Sequence, residues 1–353
     1  MHPPSNDQTP HHRRKRYKGT HPRRFDERYK ELQGDKYPEM QQHIRSRGRT
    51  PAGSHVPVLV REVMECLRPA QGEVVVDCTL GFGGHAAEFM KRIGPTGLLI
   101  GLDMDLDELQ RTRDRLARVG PNIHTHHTNY AGISQALAAE NKTNCDIIFA
   151  DIGVSSMQVD DPSRGISYKN PGPLDMRMDR RLKRTGAQLL ATMDKRELSQ
   201  ALWELSDEPD HEKIAEFIVN QRQVLPIERT EDLVRLIFAA KNTTETAWRK
   251  QARFADLHPA ARTFQALRIM VNDELGSLRA LLRQAPSLLS PGGRLGIISF
   301  HSGEDRLVKL AFREGYAGGI WSATSVNVIR PTPSEVHSNP RSSSAKFRWA
   351  VKA

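Results

Sequence analysis

Glu73-Val74-Val75-Val76-Asp77-Cys78-Thr79-Leu80-Gly81-Phe82-Gly83-Gly84-His85 decides the fold. A short β-branched run, Glu73 to Cys78, passes into the glycine-rich turn Gly81 to Gly84 and continues into a stretch of helical pattern. That order reads as a parallel strand, a loop and a helix. Glycines let backbone approach a ligand without a Cβ in the way, and the N-terminus of the following helix offers free N–H groups and a positive dipole end to a carboxylate or phosphate. A tight turn of purely structural meaning has the same signature. Gly81, Gly83 and Ala86 also match the dinucleotide fingerprint G-x-G-x-x-G/A, so these residues leave a nicotinamide or flavin site open.

Outward from this stretch the pattern alternates. Leu98 to Asp103 follows the turn Gly94-Pro95-Thr96-Gly97 as a second strand, Ile123 to His127 is a weaker third, and Asp146 to Asp151 is a fourth that again ends in a carboxylate. Residues 85–93, 105–118 and 131–140 read as the helices between them. From about 160 to 262 strand-like runs vanish and helical patterns such as Glu197 to Leu205 and Glu212 to Gln221 take over. A long helix is expected from about Ala261 to Leu289, stopped by Pro291-Gly292-Gly293. A fifth strand follows at Arg294 to Phe300, then a helix opened by Gly303-Glu304-Asp305-Arg306 and running to about Glu314, and a last strand at Lys346 to Val351. The expectation is an α/β domain over 55–160 and 262–353, with a mostly parallel sheet and a helical domain inserted at 161–261.

The 353 residues are enough for one large domain plus an insert or tail. No apolar run approaches the roughly 20 residues that a bilayer span needs, so no membrane association is expected. The N-terminus has no apolar core of the secretory kind. Cys66, Cys78 and Cys145 lie far apart, which suits a reducing cytoplasm and speaks against a cysteine metal site. The formal charge is +10, and most of it sits in front. Residues 1–54 carry 13 Lys/Arg against 6 Asp/Glu, so the remainder holds only +3. With few large apolar residues, 1–54 reads as a disordered basic arm, either an electrostatic anchor on a polyanion such as RNA or a solvated tail.

Several positions are candidates for chemistry. Asp103, an acid closing the second strand, suits hydrogen bonds from ribose hydroxyls, or else a helix start, where acids are favoured. Asp151-Ile152-Gly153-Val154-Ser155-Ser156-Met157-Gln158 leaves the fourth strand at the crevice where substrate meets cofactor in open α/β sheets; acceptors there suit an amino group, and hydride transfer has no special need of them. In Asp175-Met176-Arg177-Met178-Asp179, the acids and the guanidinium fit either a substrate contact or a loop salt bridge. His301, after the fifth strand, is a crevice candidate or a buried structural histidine. His124, His126 and His127 lack supporting metal-ligand spacing, and no metal is expected.

Taken together, the motifs resemble the RsmH (MraW) family of bacterial small-subunit ribosomal RNA cytosine-N4 methyltransferases. The resemblance runs from about His55 to Lys352 and is carried by His55-Val-Pro-Val, the glycine loop through His85, Asp151 through Asp161, Gly172-Pro-Leu-Asp-Met-Arg-Met-Asp179, His258-Pro-Ala-Ala-Arg-Thr-Phe-Gln-Ala-Leu-Arg-Ile269, Ser299-Phe-His-Ser302 and Asn339-Pro-Arg341. It implies a class I, Rossmann-like methyltransferase sheet, S-adenosylmethionine as the methyl donor, and a cytidine amino group in the decoding region of 16S rRNA as the target. By position it assigns the cofactor to Gly83, Gly84, His85, Asp103, Tyr130, Asp151 and Gln158. Ser155, Ser156, Asp175, Arg177, His301 and Ser302 are left as substrate-side candidates. Tyr130 stands where relatives usually show Phe, Leu80 where they show Phe and Met157 where they show Pro. Gly303 stands in place of a usual Leu and loosens the start of the helix beside His301 and Ser302.

The implied chemistry is one in-line methyl displacement, and its difficulty lies with the nucleophile. Cytosine N4 shares its lone pair with the ring, so the site must align it near 3–3.5 Å from the methyl, an orientation worth roughly 7–11 kcal/mol. Asp151, or a carbonyl of the loop after it, is the expected acceptor for N4–H. Base extrusion from its stack is a further requirement. A nicotinamide or flavin oxidoreductase leaves the Asp151 segment unexplained, and an idle RNA-binding scaffold leaves the glycines, Asp103 and Asp151 unexplained. DNA amino-methylating enzymes usually carry (D/N/S)PP(Y/F) after the fourth strand, which Asp151-Ile-Gly-Val lacks. Whether the chain is a monomer or a homodimer stays open.

Overall fold

The computed structural model describes residues 57–120, 122–252 and 257–353, with the side chain of Ser156 outside that description. The arm expected over 1–54 lies outside the described residues. Helix α1 (Val60–Leu67) leads into β1 (Val74–Asp77), α2 (Gly84–Ile93), β2 (Leu98–Asp103), α3 (Leu106–Leu116), β3 (Ile123–His127), α4 (Ile133–Ala139) and β4 (Cys145–Asp151). A short helix α5 (Ser156–Asp160) follows, then α6 (Gly186–Thr192), α7 (Lys195–Ser206), α8 (His211–Val224), α9 (Thr230–Ala240) and α10 (Glu245–Gln251). The chain returns through α11 (Ala261–Asn272) and α12 (Glu274–Leu288) to β5 (Leu289–Ser299), α13 (Ser302–Ala317), β6 (Trp321–Thr324), α14 (Pro333–Ser338) and β7 (Lys346–Lys352).

The strands form one seven-stranded sheet in the order β3-β2-β1-β4-β5-β7-β6. The first five run parallel, and β7 and β6 are antiparallel to their neighbours. This is a class I, Rossmann-like sheet. Side chains alternate between its faces as the pleat requires. Val75, Leu99, Ile147, Phe149 and Ile298 pack with Val63, Phe89 and Leu116 from α1, α2 and α3. Val76, Ile100, Leu102, Ile148 and Ala150 pack on the other face with Ile133, Leu281 and Phe312 from α4, α12 and α13. The helices between β4 and β5 bury a third cluster, which includes Leu198, Leu202, Ile214 and Leu233 and extends onto Phe264 and Leu267 of α11.

Three details differ from the sequence expectation. The long helix expected from Ala261 to Leu289 is two helices, because Asp273 takes a left-handed backbone conformation (φ 46°) that breaks the hydrogen-bond ladder. Asn and Asp enter this region more readily than most residues, and Gly276 leaves room for the Asp273 carboxylate, which a Cβ there would meet at 2.3 Å. Pro291-Gly292-Gly293 bulges from the start of β5, since Cys145 pairs with Leu289 but Ile147 pairs with Arg294. Finally, β6 was not anticipated. It is a four-residue edge strand, and its Trp321 ring packs where Gly315 has no side chain.

In the centre of the sheet, Gly296 lies where an added Cβ would approach Leu67 Cδ1 to 2.8 Å and the Phe347 ring to 3.1 Å. Overpacking of this kind typically costs about 1–3 kcal/mol. Gly296→Ala is therefore expected to lower stability in urea denaturation by about that amount, and an unchanged midpoint would show that β5 is packed more loosely than described.

Candidate functional site

A cavity of about 470 Å³ opens at the carboxyl ends of β1, β2, β4 and β5, the position where open parallel sheets place ligands. The loop Cys78–Gly84 forms one wall and the segment Asp151–Ser155 another. Gly83 (φ 62°) and Gly84 are glycines because of their protein neighbours. A Cβ on Gly83 would reach Leu116 at 2.7 Å, and one on Gly84 would reach Pro57 at 2.1 Å. The loop is thereby pressed down onto α3 and the chain before α1. The first turn of α2 receives no side-chain cap, so its N–H groups and positive dipole end remain available to an anion.

The site's carboxyl groups are more numerous than the sequence reading anticipated. Asp77, Asp103, Glu108, Asp151, Glu274 and Glu304 all line the cavity, against the guanidinium groups of Arg268 and Arg341. Both cations are committed elsewhere: Arg268 grips Glu274 through two bonds of 2.8 and 2.9 Å, and Arg341 pairs with Asp160. Asp77 is buried and its carboxyl is raised to about 7, by desolvation and by the neighbouring charge of Asp103, against the opposing hydrogen bond from Thr79 N. Desolvation raises Asp103 as well, although its two oxygens accept Gly81 N at 2.7 Å and Asp105 N at 2.9 Å. Burial, with the charges of Asp103 and Asp105, also raises Glu108.

The helix-start role that the sequence left open for Asp103 falls to Asp105. Asp105 is the N-cap of α3, accepting from Asp107 N and Glu108 N. Asp103 stands one step earlier, at the end of β2 and on the cavity wall. Gln158 also lines the cavity; its Oε1 accepts Ser155 N at 3.0 Å and its N–H donates to Ser155 Oγ, closing a capping box on α5. Ser155 in turn donates to Glu108 Oε1 at 3.1 Å. Tyr130 is buried, and its hydroxyl donates to the Glu274 carbonyl at 3.1 Å.

Asp151 and His85 face each other across the site. Burial lowers the His85 imidazole to about 4, so the ring is neutral. Its Nε2 donates to the Val58 carbonyl at 2.9 Å, which leaves Nδ1 as the acceptor, 3.8 Å from Asp151 Oδ2. Burial, then the charges of Asp77 and Glu304, raise the Asp151 carboxyl to about 8. Its Oδ1 is buried and has no hydrogen-bond partner. The backbone beneath is fixed by Asp151 N donating to Thr79 Oγ1 at 2.7 Å, which ties the end of β4 to the glycine loop.

The structure brings Gly83, Gly84, His85, Asp103, Tyr130, Asp151, Ser155 and Gln158 to one cavity. It leaves four candidates off that wall. Asp175 and Arg177 bind each other through two contacts of 2.7 and 2.8 Å. His301 is the N-cap of α13, and Ser302 donates to Asp207 Oδ2. The side chain of Ser156 lies outside the described residues. Among residues that sequence reasoning did not single out, Glu108 reaches the cavity because the first turn of α3 points there, and Arg268 and Glu274 meet across the α11–α12 break. Among the described residues no group of three or more His, Cys, Asp or Glu is placed to hold a metal; His124 and His126 share the Glu140 carboxylate instead.

The family model described as the MraW methylase family matches residues 52–353. The chain belongs to the MraW methylase family. It is 41% identical over 360 residues to a protein of Lachnoclostridium phytofermentans named ribosomal RNA small subunit methyltransferase H 1, an alignment covering 99% of this chain and 96% of that one. A protein of Alkaliphilus metalliredigens named ribosomal RNA small subunit methyltransferase H 2 is 40% identical, with 97% of each chain covered. One of Symbiobacterium thermophilum, named ribosomal RNA small subunit methyltransferase H, is 42% identical over 84% of this chain and 96% of its own. This family member is a methyltransferase, and its cofactor is S-adenosylmethionine. The cavity suits that molecule physically. An excess of desolvated carboxyl groups favours a ligand carrying a sulfonium and an ammonium, and the uncapped α2 N-terminus favours its carboxylate.

A carboxyl raised in the folded state holds its proton more tightly there than in the unfolded chain, so its contribution to stability is present at low pH and is lost as pH rises toward the folded value. For Asp151 that window runs from the ordinary carboxylate range up to about 8. The melting temperature of Asp151→Asn relative to wild type, both without cofactor, is expected to rise steadily from pH 5 to pH 8, and a difference independent of pH would contradict the raised carboxyl.

Proposed function

We propose that this protein transfers the methyl group of S-adenosylmethionine to the N4 amino group of a cytidine in the decoding region of 16S rRNA within the small ribosomal subunit, in the cytoplasm. The observation that carries the reading is Asp151: a carboxyl at the end of β4, beside the glycine loop, with one buried oxygen that no protein donor satisfies. Relatives about 40% identical and named for methylation of small-subunit ribosomal RNA support the substrate class.

The cofactor, when bound, supplies a methyl group already activated on a sulfonium. This chain's residues have three tasks. The glycine loop, the α2 N-terminus and Asp103 hold the donor, the last through ribose hydroxyls. Asp151, or a carbonyl in Ile152–Ser155, accepts an amino N–H and so draws nitrogen electron density out of the ring. Asp151 also takes the released proton, a role its elevated carboxyl suits once it is ionised. The surrounding wall, which includes Phe300 and Met178, keeps water from the reacting atoms. The helices over 161–261 we read as a domain inserted into the sheet unit. The basic arm we read as an anchor on RNA, and the Lachnoclostridium alignment, at 99% of this chain, reaches into it.

The test is transfer of labelled methyl from S-adenosylmethionine to small subunits lacking native methylation, followed by nuclease digestion and mass analysis. N4-methylcytidine is the expected product, and a different methylated nucleoside would overturn the cytidine reading. Asp151→Asn is expected to bind the cofactor and to lose about 100-fold or more in transfer rate; normal turnover would remove Asp151 from the mechanism. Deleting residues 1–54 is expected to weaken subunit binding and flatten its salt dependence with the saturated rate unchanged, and an unaltered salt slope would make the arm a bystander.

A further inference from the structure

A second carboxylate at the site has a geometry matched to that of Asp151. Glu304 is 1% exposed and lines the same cavity. Its Oε2 is fixed by Phe300 N at 2.9 Å and His301 N at 3.3 Å, so the side chain folds back over the β5–α13 turn. Its Oε1 is buried and has no hydrogen-bond partner. His301 Nε2 lies 3.1 Å from Oε1 as an ion-pair neighbour, with no hydrogen bond between the two atoms. β4 and β5 are adjacent parallel strands that pair Asp151 with Ile298. Glu304 lies in the first turn of α13, directly after β5, and its carboxyl and that of Asp151 line the same cavity. Their proximity registers as the Glu304 charge raising Asp151.

Two buried acceptors without donors are costly in a folded protein unless a ligand brings the hydrogens. We infer that Glu304 is the second acceptor for the substrate amino group: its Oε1 takes one N–H while Asp151 Oδ1 takes the other. The inference rests on the amino-methylation reading above and extends it to product specificity. With both in-plane hydrogens held, the amino group is fixed so that its lone pair, which lies perpendicular to the ring plane, faces the donor. As the N–CH3 bond forms, the S–CH3 bond breaks with its electron pair remaining on sulfur, and one amino proton passes to the carboxylate that already holds it. Only a primary amino group fills both acceptors. A nitrogen that has gained one methyl has a single N–H, leaves one carboxyl unpaired again and directs carbon at it, so transfer stops after one methyl group.

Glu304→Gln tests this, because the amide keeps an oxygen for the two backbone donors but presents N–H where Oε1 accepted. Cofactor affinity by calorimetry and the melting temperature are expected to stay near wild type, while single-turnover transfer at saturating cofactor and subunits falls by about 100-fold or more. Glu304→Ala is expected to recover part of its rate on addition of formate, which restores an acceptor. Wild-type protein is expected to yield only monomethylated nucleoside even on long incubation. A Glu304→Gln variant transferring at the wild-type rate, a variant whose only defects are in melting temperature and cofactor binding, or a dimethylated product from the wild type would each overturn the inference. Failure of the wild type to make N4-methylcytidine while methylating another amine would count against the cytidine reading instead, and the comparison of the two Glu304 variants would then be made on that amine.

Discussion

Parallel strands that end together bring their terminal residues together, and in this protein those residues are acids. Asp77, Asp103 and Asp151 close β1, β2 and β4, and Glu304 folds over the end of β5. Loss of water and neighbouring negative charge both oppose the ionisation of the three aspartates, and much of the surrounding architecture holds the four acids in place. Thr79 braces the end of β4, backbone N–H groups bind Asp103 and Glu304, and the glycine loop is pinned beneath Pro57 and over Leu116. The available cations near the cavity are already neutralised by Glu274 and Asp160. What remains is a cluster of carboxyl groups held back from ionising, which a positively charged ligand would relieve.

The parallel half of the fold was legible because its strands are short, β-branched and punctuated by glycine. β2 and β3 have the bounds expected from the pattern, β4 begins one residue earlier, and β1 is one residue shorter at each end than the expected Glu73 to Cys78. The later half was less legible for identifiable reasons. The break at Asp273 carries neither proline nor glycine at the bend itself, so periodicity runs through it unmarked. The β6 strand is only Trp-Ser-Ala-Thr, too short for an alternating pattern, and its place depends on a groove at Gly315 that forms only in three dimensions.

The same division holds in the site. Residues on strand ends and in the glycine loop could be found by position alone, because the sheet fixes where such residues point. Glu108, Arg268, Glu274 and Glu304 sit on helices, where an acid or a base in the sequence reads as a solvated face unless the tertiary contact is known. His301 and Glu304 show the difficulty most clearly. The histidine has the more suggestive chemistry but serves as a helix cap, while the glutamate three residues on, in a position that a capping box would explain, also reaches the cavity.

The two halves of the site are also built from contacts of very different range along the chain. The glycine-loop wall joins β1, α2 and β2, which follow one another within a single βαβ unit. The wall around Asp151 exists only once β4 has paired with β5, and Asp151 meets Ile298 across about 150 intervening residues. Loop-closure entropy must be overcome before that contact returns any stability. The glycine-loop half can therefore be complete while the emerging chain is still being made, whereas the Asp151 half waits for synthesis to pass through the whole helical segment. The complete cavity is thereby a property acquired late in the making of the chain.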